Sequence, residues 1–134
     1  MKIAFGGFLL GNDTGRRQLE TLIDPDDMTI DRTIDTVGGG DGVLCMRLDP
    51  APDVGPYELV LYSDGGRYLL MLAEVAEDRR ANTRTLTNES AQDGFVSILG
   101  ESYAAKAVTG DLAIVRSAFK EFARRGTVSH GLMS

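Results

Sequence analysis

The sequence predicts an α+β domain, a mostly antiparallel sheet with two helices, the second C-terminal, packed on one face. Three observations predict it. Short apolar runs separated by turn residues recur along the chain, as strands do. Two segments, 24–38 and 110–125, instead carry apolar residues at helical spacing. Asp64-Gly65 stands between two apolar runs, a strong signal for a hairpin and hence for antiparallel neighbours.

Lys2–Leu10 reads as the first strand, with Ile3, Phe5, Gly7 and Leu9 on one side. The turn cluster Gly11–Gly15 follows, and Arg17–Ile23 alternates again, so the two strands pair as a hairpin. Asp24-Pro25 opens a helix, with Asp24 as its cap and Pro25 at its first position. Ile30, Ile34 and Val37 share one side of that helix, Asp31, Arg32 and Asp35 lie opposite, and Gly38-Gly39-Gly40 ends it. Gly42–Leu48 is the next strand, and the proline-rich Asp49–Pro56 is a rigid connection. Tyr57–Ser63 and Arg67–Glu74 flank the Asp-Gly turn. Glu77–Ala81 is a polar loop, and Asn82–Thr87 a short edge strand. Gly94–Leu99 and Tyr103–Val108 are further strands, the second with enough alanine to favour helix as well. In the last helix, Leu112, Val115, Phe119 and Phe122 form the stripe, Arg124 and Arg125 suit the negative end of the dipole, and Gly126 caps. Residues 1–134 make a single domain, with 126–134 a partly flexible tail.

The net charge is −6, and it is unevenly placed. Residues 1–67 hold twelve acidic and six basic side chains, and residues 68–134 hold eight of each. Phosphate backbones need Lys and Arg, so nucleic acid is an unsuitable partner, and a basic protein is a suitable one. No run approaches the ~20 apolar residues of a membrane span. The apolar start is too short and lacks the cleavage site of a signal peptide, so the expected compartment is the cytoplasm.

Equipment for catalysis is sparse. The single cysteine, Cys45, sits in the apolar run Val43-Leu44-Cys45-Met46 and reads as a buried small hydrophobe. The single histidine, His130, reads as a solvated tail residue. One His and one Cys do not make a zinc site, and no cofactor is expected. Gly38-Gly39-Gly40-Asp41-Gly42 lacks the Lys and Ser or Thr of a phosphate loop, and it reads as a flexible helix-to-strand connection. Gly-x-Ser-x-Gly is absent. Carboxylate pairs are plentiful, as in any acidic chain, and a dyad needs two that converge on a cleft. Of the tyrosines, Tyr57, Tyr62 and Tyr68 gather around the central hairpin, where packing with a bonded hydroxyl competes with use at an interface.

Gly55-Pro56-Tyr57-Glu58-Leu59, leading through Ser63-Asp64-Gly65-Gly66-Arg67-Tyr68-Leu69-Leu70, resembles the central hairpin of small immunity proteins of bacterial polymorphic-toxin systems, or of a closely related family. Val108-Thr109-Gly110-Asp111, Ala118-Phe119-Lys120-Glu121-Phe122 and Arg125-Gly126 resemble the same group's C-terminal helix and its end. The resemblance implies an α+β fold, no catalysis, and tight binding to a cognate toxin, often a nuclease, deaminase or other nucleotide-acting enzyme.

The expected function is therefore to bind and neutralise a basic toxin by covering its active site, where carboxylates mimic phosphates. The expected partner contacts are the helical stripe Asp27, Asp31 and Asp35, the loop residues Asp41 and Asp53, and Tyr57. Two other readings remain open. One is a small-ligand-binding domain or enzyme using carboxylates in a pocket between sheet and helices. The other is a structural or assembly subunit.

Overall fold

A computed structural model describes residues 2–11 and 15–134. The architecture is the predicted α+β fold, a large antiparallel sheet with two helices on one face. The strands are β1 (Lys2–Gly11), β2 (Gly15–Gln18), β3 (Leu22–Ile23), β4 (Asp41–Asp49), β5 (Gly55–Asp64), β6 (Arg67–Val75), β7 (Ala81–Thr85), β8 (Phe95–Ile98), β9 (Glu101–Ala104) and β10 (Val108–Thr109). The helices are α1 (Asp27–Gly38) and α2 (Leu112–Arg125). The main sheet runs β10-β6-β5-β4-β1-β2, with β3 beside β1 and β7 beside β6. A separate hairpin, β8–β9, lies outside it.

Alternation along the strands decides what the helices cover. Phe5, Leu44, Met46, Leu59, Leu61, Leu70 and Leu72 point one way and are fully buried. They meet Ile30, Ile34 and Val37 of α1 and Val115, Ala118, Phe119 and Phe122 of α2 in one continuous core. Burying each large apolar side chain contributes roughly 1.5–3 kcal/mol, which outweighs the weak intrinsic stability of helices this short. Glycine permits two close approaches. A Cβ on Gly7 would lie 2.0 Å from the Val43 carbonyl oxygen, and one on Gly38 would lie 2.7 Å from Leu112 Cδ1. The first lets β1 lie flat on β4, and the second lets the start of α2 press on the end of α1.

Most local expectations hold, and several boundaries move. The second predicted strand is split into β2 and β3, both still antiparallel to β1. The expected turn at 12–14 lies outside the described residues. The cap of α1 is Asp26, whose carboxylate accepts from Thr29 N at 2.8 Å, and not Asp24. Asp24 has φ 48° and accepts from Ile3 N, so it ties the approach to α1 onto β1. The cap bond holds the Asp26 carboxyl below the usual range, so this stabilisation is present above the ordinary carboxylate pKa and is lost as pH falls through the lowered one. Gly65 and Gly66, both at positive φ, form the tight turn between β5 and β6. The Ala-rich segment after β9 turns into a 3-10 helix at Ala105–Ala107 before β10. Asp111 is the cap of α2, and Gly126 ends it at φ 71°.

Two segments expected to be flexible are hydrogen-bonded to the rest of the fold. The Gly38–Asp41 connection is clasped to the β5–β6 hairpin. Tyr68 Oη donates to Gly38 O at 2.8 Å, Ser63 Oγ donates to Gly40 O, and Gly65 N donates to Asp41 Oδ1. The C-terminal tail is docked too. Residues 132–134 run beside 85–87 through backbone bonds, and Val128 and Met133 are buried in the core. The tail thus covers an edge that would otherwise expose unpaired backbone groups.

Candidate binding surface

The helices cover one face of the sheet. The opposite face is formed by the alternate residues of the central strands, among them Phe8, Val43, Cys45, Glu58, Val60, Tyr62, Leu69 and Met71. An antiparallel sheet with one wet face normally carries polar residues there. Here the residues are mainly apolar. The β8–β9 hairpin shields one end, where Ile98 buries Leu69 together with Val108, and Tyr103, Val96 and Met71 pack around them. Asp64 Oδ2 holds that hairpin in place by accepting from Leu99 N at 2.8 Å. Beyond its reach Val43, Cys45 and Val60 are half-buried, as is Phe8 beneath the Arg16 side chain. On the hairpin, Phe95 is 79% exposed. Apolar surface gathered on one face is where proteins dock partners.

Two titratable groups on this face, Cys45 and Tyr62, have raised pKa values. Burial, reinforced by the Glu58 carboxylate, pushes the Cys45 thiol up to about 12. Burial first, then Tyr103 and Glu58, raises the Tyr62 phenol. At neutral pH Cys45 is therefore a thiol and Tyr62 a neutral hydrogen-bonding group. Cys45 faces this surface and is not part of the core, a correction to the sequence reading. Its thiolate fraction at pH 8 is about one in ten thousand, against about one in ten at the ordinary value of 9.0. Iodoacetamide at pH 8 should accordingly label the folded chain at least a hundredfold more slowly than the urea-unfolded chain. Equal rates would show that the thiol is neither shielded nor displaced.

The acidic stripe has a different fate from the one expected of a free surface. Asp27, Asp31 and Asp35 of α1 face a matching basic stripe on α2. Asp35 pairs with Arg116, Asp31 with Lys120 at 3.2 Å, and Asp27 with Arg124 at 2.9 Å. Both helices repeat their charges every fourth residue, so the two rows meet as an antiparallel ladder. Each rung is partly exposed and is worth about 1 kcal/mol or less. These carboxylates are thus engaged within the chain. Asp41 is engaged as well, on Gly65. Asp53 stays exposed on the β4–β5 connection, beside exposed Val54. Tyr57 sits half-buried where the β5–β6 register shifts. The structure does not bring the six residues together.

Sequence reasoning missed the open face, although a signal for it was present. Val43-Leu44-Cys45-Met46, Leu59-Val60-Leu61-Tyr62 and Leu69-Leu70-Met71-Leu72 are apolar on both sides of their strands. Such runs belong to strands covered on both faces. Two helices cover only one. The unmatched apolar residues had to be met by another element or by a partner.

The fold is similar to the crystal structure of a hypothetical protein from Neisseria gonorrhoeae, with a TM-score of 0.84 and 27% sequence identity over 96% of this chain and 90% of that one. No curated protein matches the chain. A family described as a family of unknown function, DUF6911, matches residues 2–132.

Proposed function

We propose that this chain, which belongs to the DUF6911 family, is a non-catalytic binding protein that captures a second protein on the open face of its sheet. The observation that carries this reading is the half-buried apolar centre of that face at Val43 and Val60, inside a fold whose helices are already employed on the other side. The partner is a cognate bacterial toxin that the chain neutralises in the cytoplasm. This part rests on the likeness of the 55–70 hairpin and the chain's last helix to immunity proteins. The α1 stripe is engaged with α2, so apolar contact supplies the affinity, and exposed Asp49, at the end of β4, and Asp53, on the connection that follows, supply the acidic contribution toward a basic partner.

Co-expression with the product of the neighbouring gene tests the proposal. A stable complex and rescue of growth are expected. Val60→Lys should weaken the complex at least about thirtyfold, as for a central interface residue, while a thermal melt shows the variant folded. No complex and no rescue would remove the toxin reading, and a complex indifferent to Val60→Lys would move the contact elsewhere.

A further inference from the structure

Gly6 leaves a hollow in the open face. It lies between Ala4 and Phe8, opposite Cys45, where the alternation would otherwise place a side chain. The result is a cleft of about 280 Å³ beside the β2 edge. Thr21 stands over it, 3.1 Å from where a Gly6 Cβ would be. Arg16 and Arg47 both line it, and no carboxylate does. Two arginines therefore line one small cleft in a chain of net charge −6.

Arg16 is held in place before any ligand arrives. Its guanidinium lies 3.8 Å from the centre of the Phe8 ring. Its Nη2 donates to Gln18 Oε1 at 3.3 Å, and Gln18 Nε2 donates in turn to Gly7 O at 3.1 Å. The stacking and the Gln18 bridge favour this placement of the guanidinium and engage only part of its donor set. Among the described residues no carboxylate lies within ion-pair distance of Arg16 or Arg47. Planar guanidinium forks match carboxylate and phosphate oxygens two at a time. A concave site with a few convergent donors is what a small anion requires.

We propose that this cleft binds a small oxyanion, a carboxylate or a phosphate, between Arg16 and Arg47. The Thr21 hydroxyl adds a neutral donor, and the cleft's size selects a small molecule over a large cofactor. The proposal is independent of the docking of a protein partner.

The test is titration of the full chain, alone, with inorganic phosphate and separately with succinate at constant ionic strength, read by amide chemical shifts. Saturable shifts confined to Gly6, Phe8 and Thr21 are expected with at least one of the two. The tighter of them assigns phosphate or carboxylate as the preferred group. Arg16→Gln and Arg47→Gln should each weaken binding at least about tenfold, the loss expected when a charge-assisted contact is removed. Arg79→Gln, on the exposed loop after β6, should leave it unchanged. Melting curves check that the variants fold, and both cleft arginines are exposed enough for replacement without core damage. The proposal is overturned if neither anion saturates, if either cleft variant binds as the parent does, or if Arg79→Gln weakens binding equally. A negative result leaves the docking proposal standing, because no partner is present in the titration.

Discussion

Arg84→Ala is expected to destabilise the chain by about 3 kcal/mol and to release its C-terminal tail. Arg84 is 5% exposed, and it lies on β7 with its side chain on the helix-covered side of the sheet, opposite Leu72. Its guanidinium is the point where the tail is fastened. Nη1 donates to His130 Nδ1 at 3.0 Å and to Met133 O at 3.3 Å, and Nη2 donates to Thr127 Oγ1 at 3.3 Å. Glu74 Oε2, 3.6 Å from Nε, supplies the opposite charge. Accepting from Arg84 at Nδ1 puts the neutral ring proton of His130 on Nε2. Alanine leaves Glu74 with less compensation, the Met133 carbonyl without this donor, and a void beneath the tail. Urea denaturation should give the loss in stability. Hydrogen exchange should show the amides of Thr85, Thr87 and Ser134 losing protection together, because their bonds join the tail to 85–87. Arg84→Lys should recover only part of the effect, since an ammonium cannot reproduce the fork. An Arg84→Ala chain with parental stability and a protected tail would show that Val128 and Met133 alone hold the tail down.

This fastening also shows where sequence reading reached its limit. Local signals were legible because their physics is local. The glycine at 126 had to accept a left-handed backbone, Asp-Gly-Gly had to turn, and Val115, Phe119 and Phe122 had to share a side of α2. The fate of a charge depends on what the fold brings opposite it. Asp27, Asp31 and Asp35 read as a surface stripe because their partners lie on α2, 81 to 97 residues further on. Each stripe was visible alone, and the matching spacing of four was the one clue that they pair. Arg84 stood in a polar, β-branched string, where alternation alone gave no reason to bury a cation. His130 and the tail looked free for the same reason.

The open face lies between these extremes. Its apolar residues stand in the sequence as runs too apolar for half-covered strands. They become a surface only once both helices are known to lie on the other side. The division of labour that follows is physical. The helix-covered side holds the fold together, and its charges are satisfied internally through the α1–α2 ladder. The other side keeps apolar area in its centre, and two arginines, Arg16 and Arg47, that have no ion pair among the described residues, and those are the properties that recognition uses. The chain's overall acidity therefore predicts little about this face, since the cations lining its cleft outnumber the carboxylates there.

Phe119→Ala is expected to cost about 4 kcal/mol, the largest loss from any single truncation on α2. The residue is fully buried at the point where helix and sheet meet. Its ring centre lies 5.5 Å from that of Phe5 on β1, with the planes inclined at 51°. That inclination brings ring edge toward ring face, an arrangement worth about 1 kcal/mol beyond the area buried. Alanine removes the ring and leaves a cavity beside Phe5 in the main core. The β1 wall cannot collapse far, because β1 is paired along its length with β4 in close approach at Gly7. Phe5→Ala should cost a similar amount, and the double variant should lose less than the sum by about 1 kcal/mol. Denaturant unfolding of the four chains gives that coupling directly. Full additivity would mean that the two rings contribute only as separate apolar volumes. A loss below about 2 kcal/mol for Phe119→Ala would mean that α2 can settle onto the sheet, and the open face would then have to hold its shape without a rigid layer behind it.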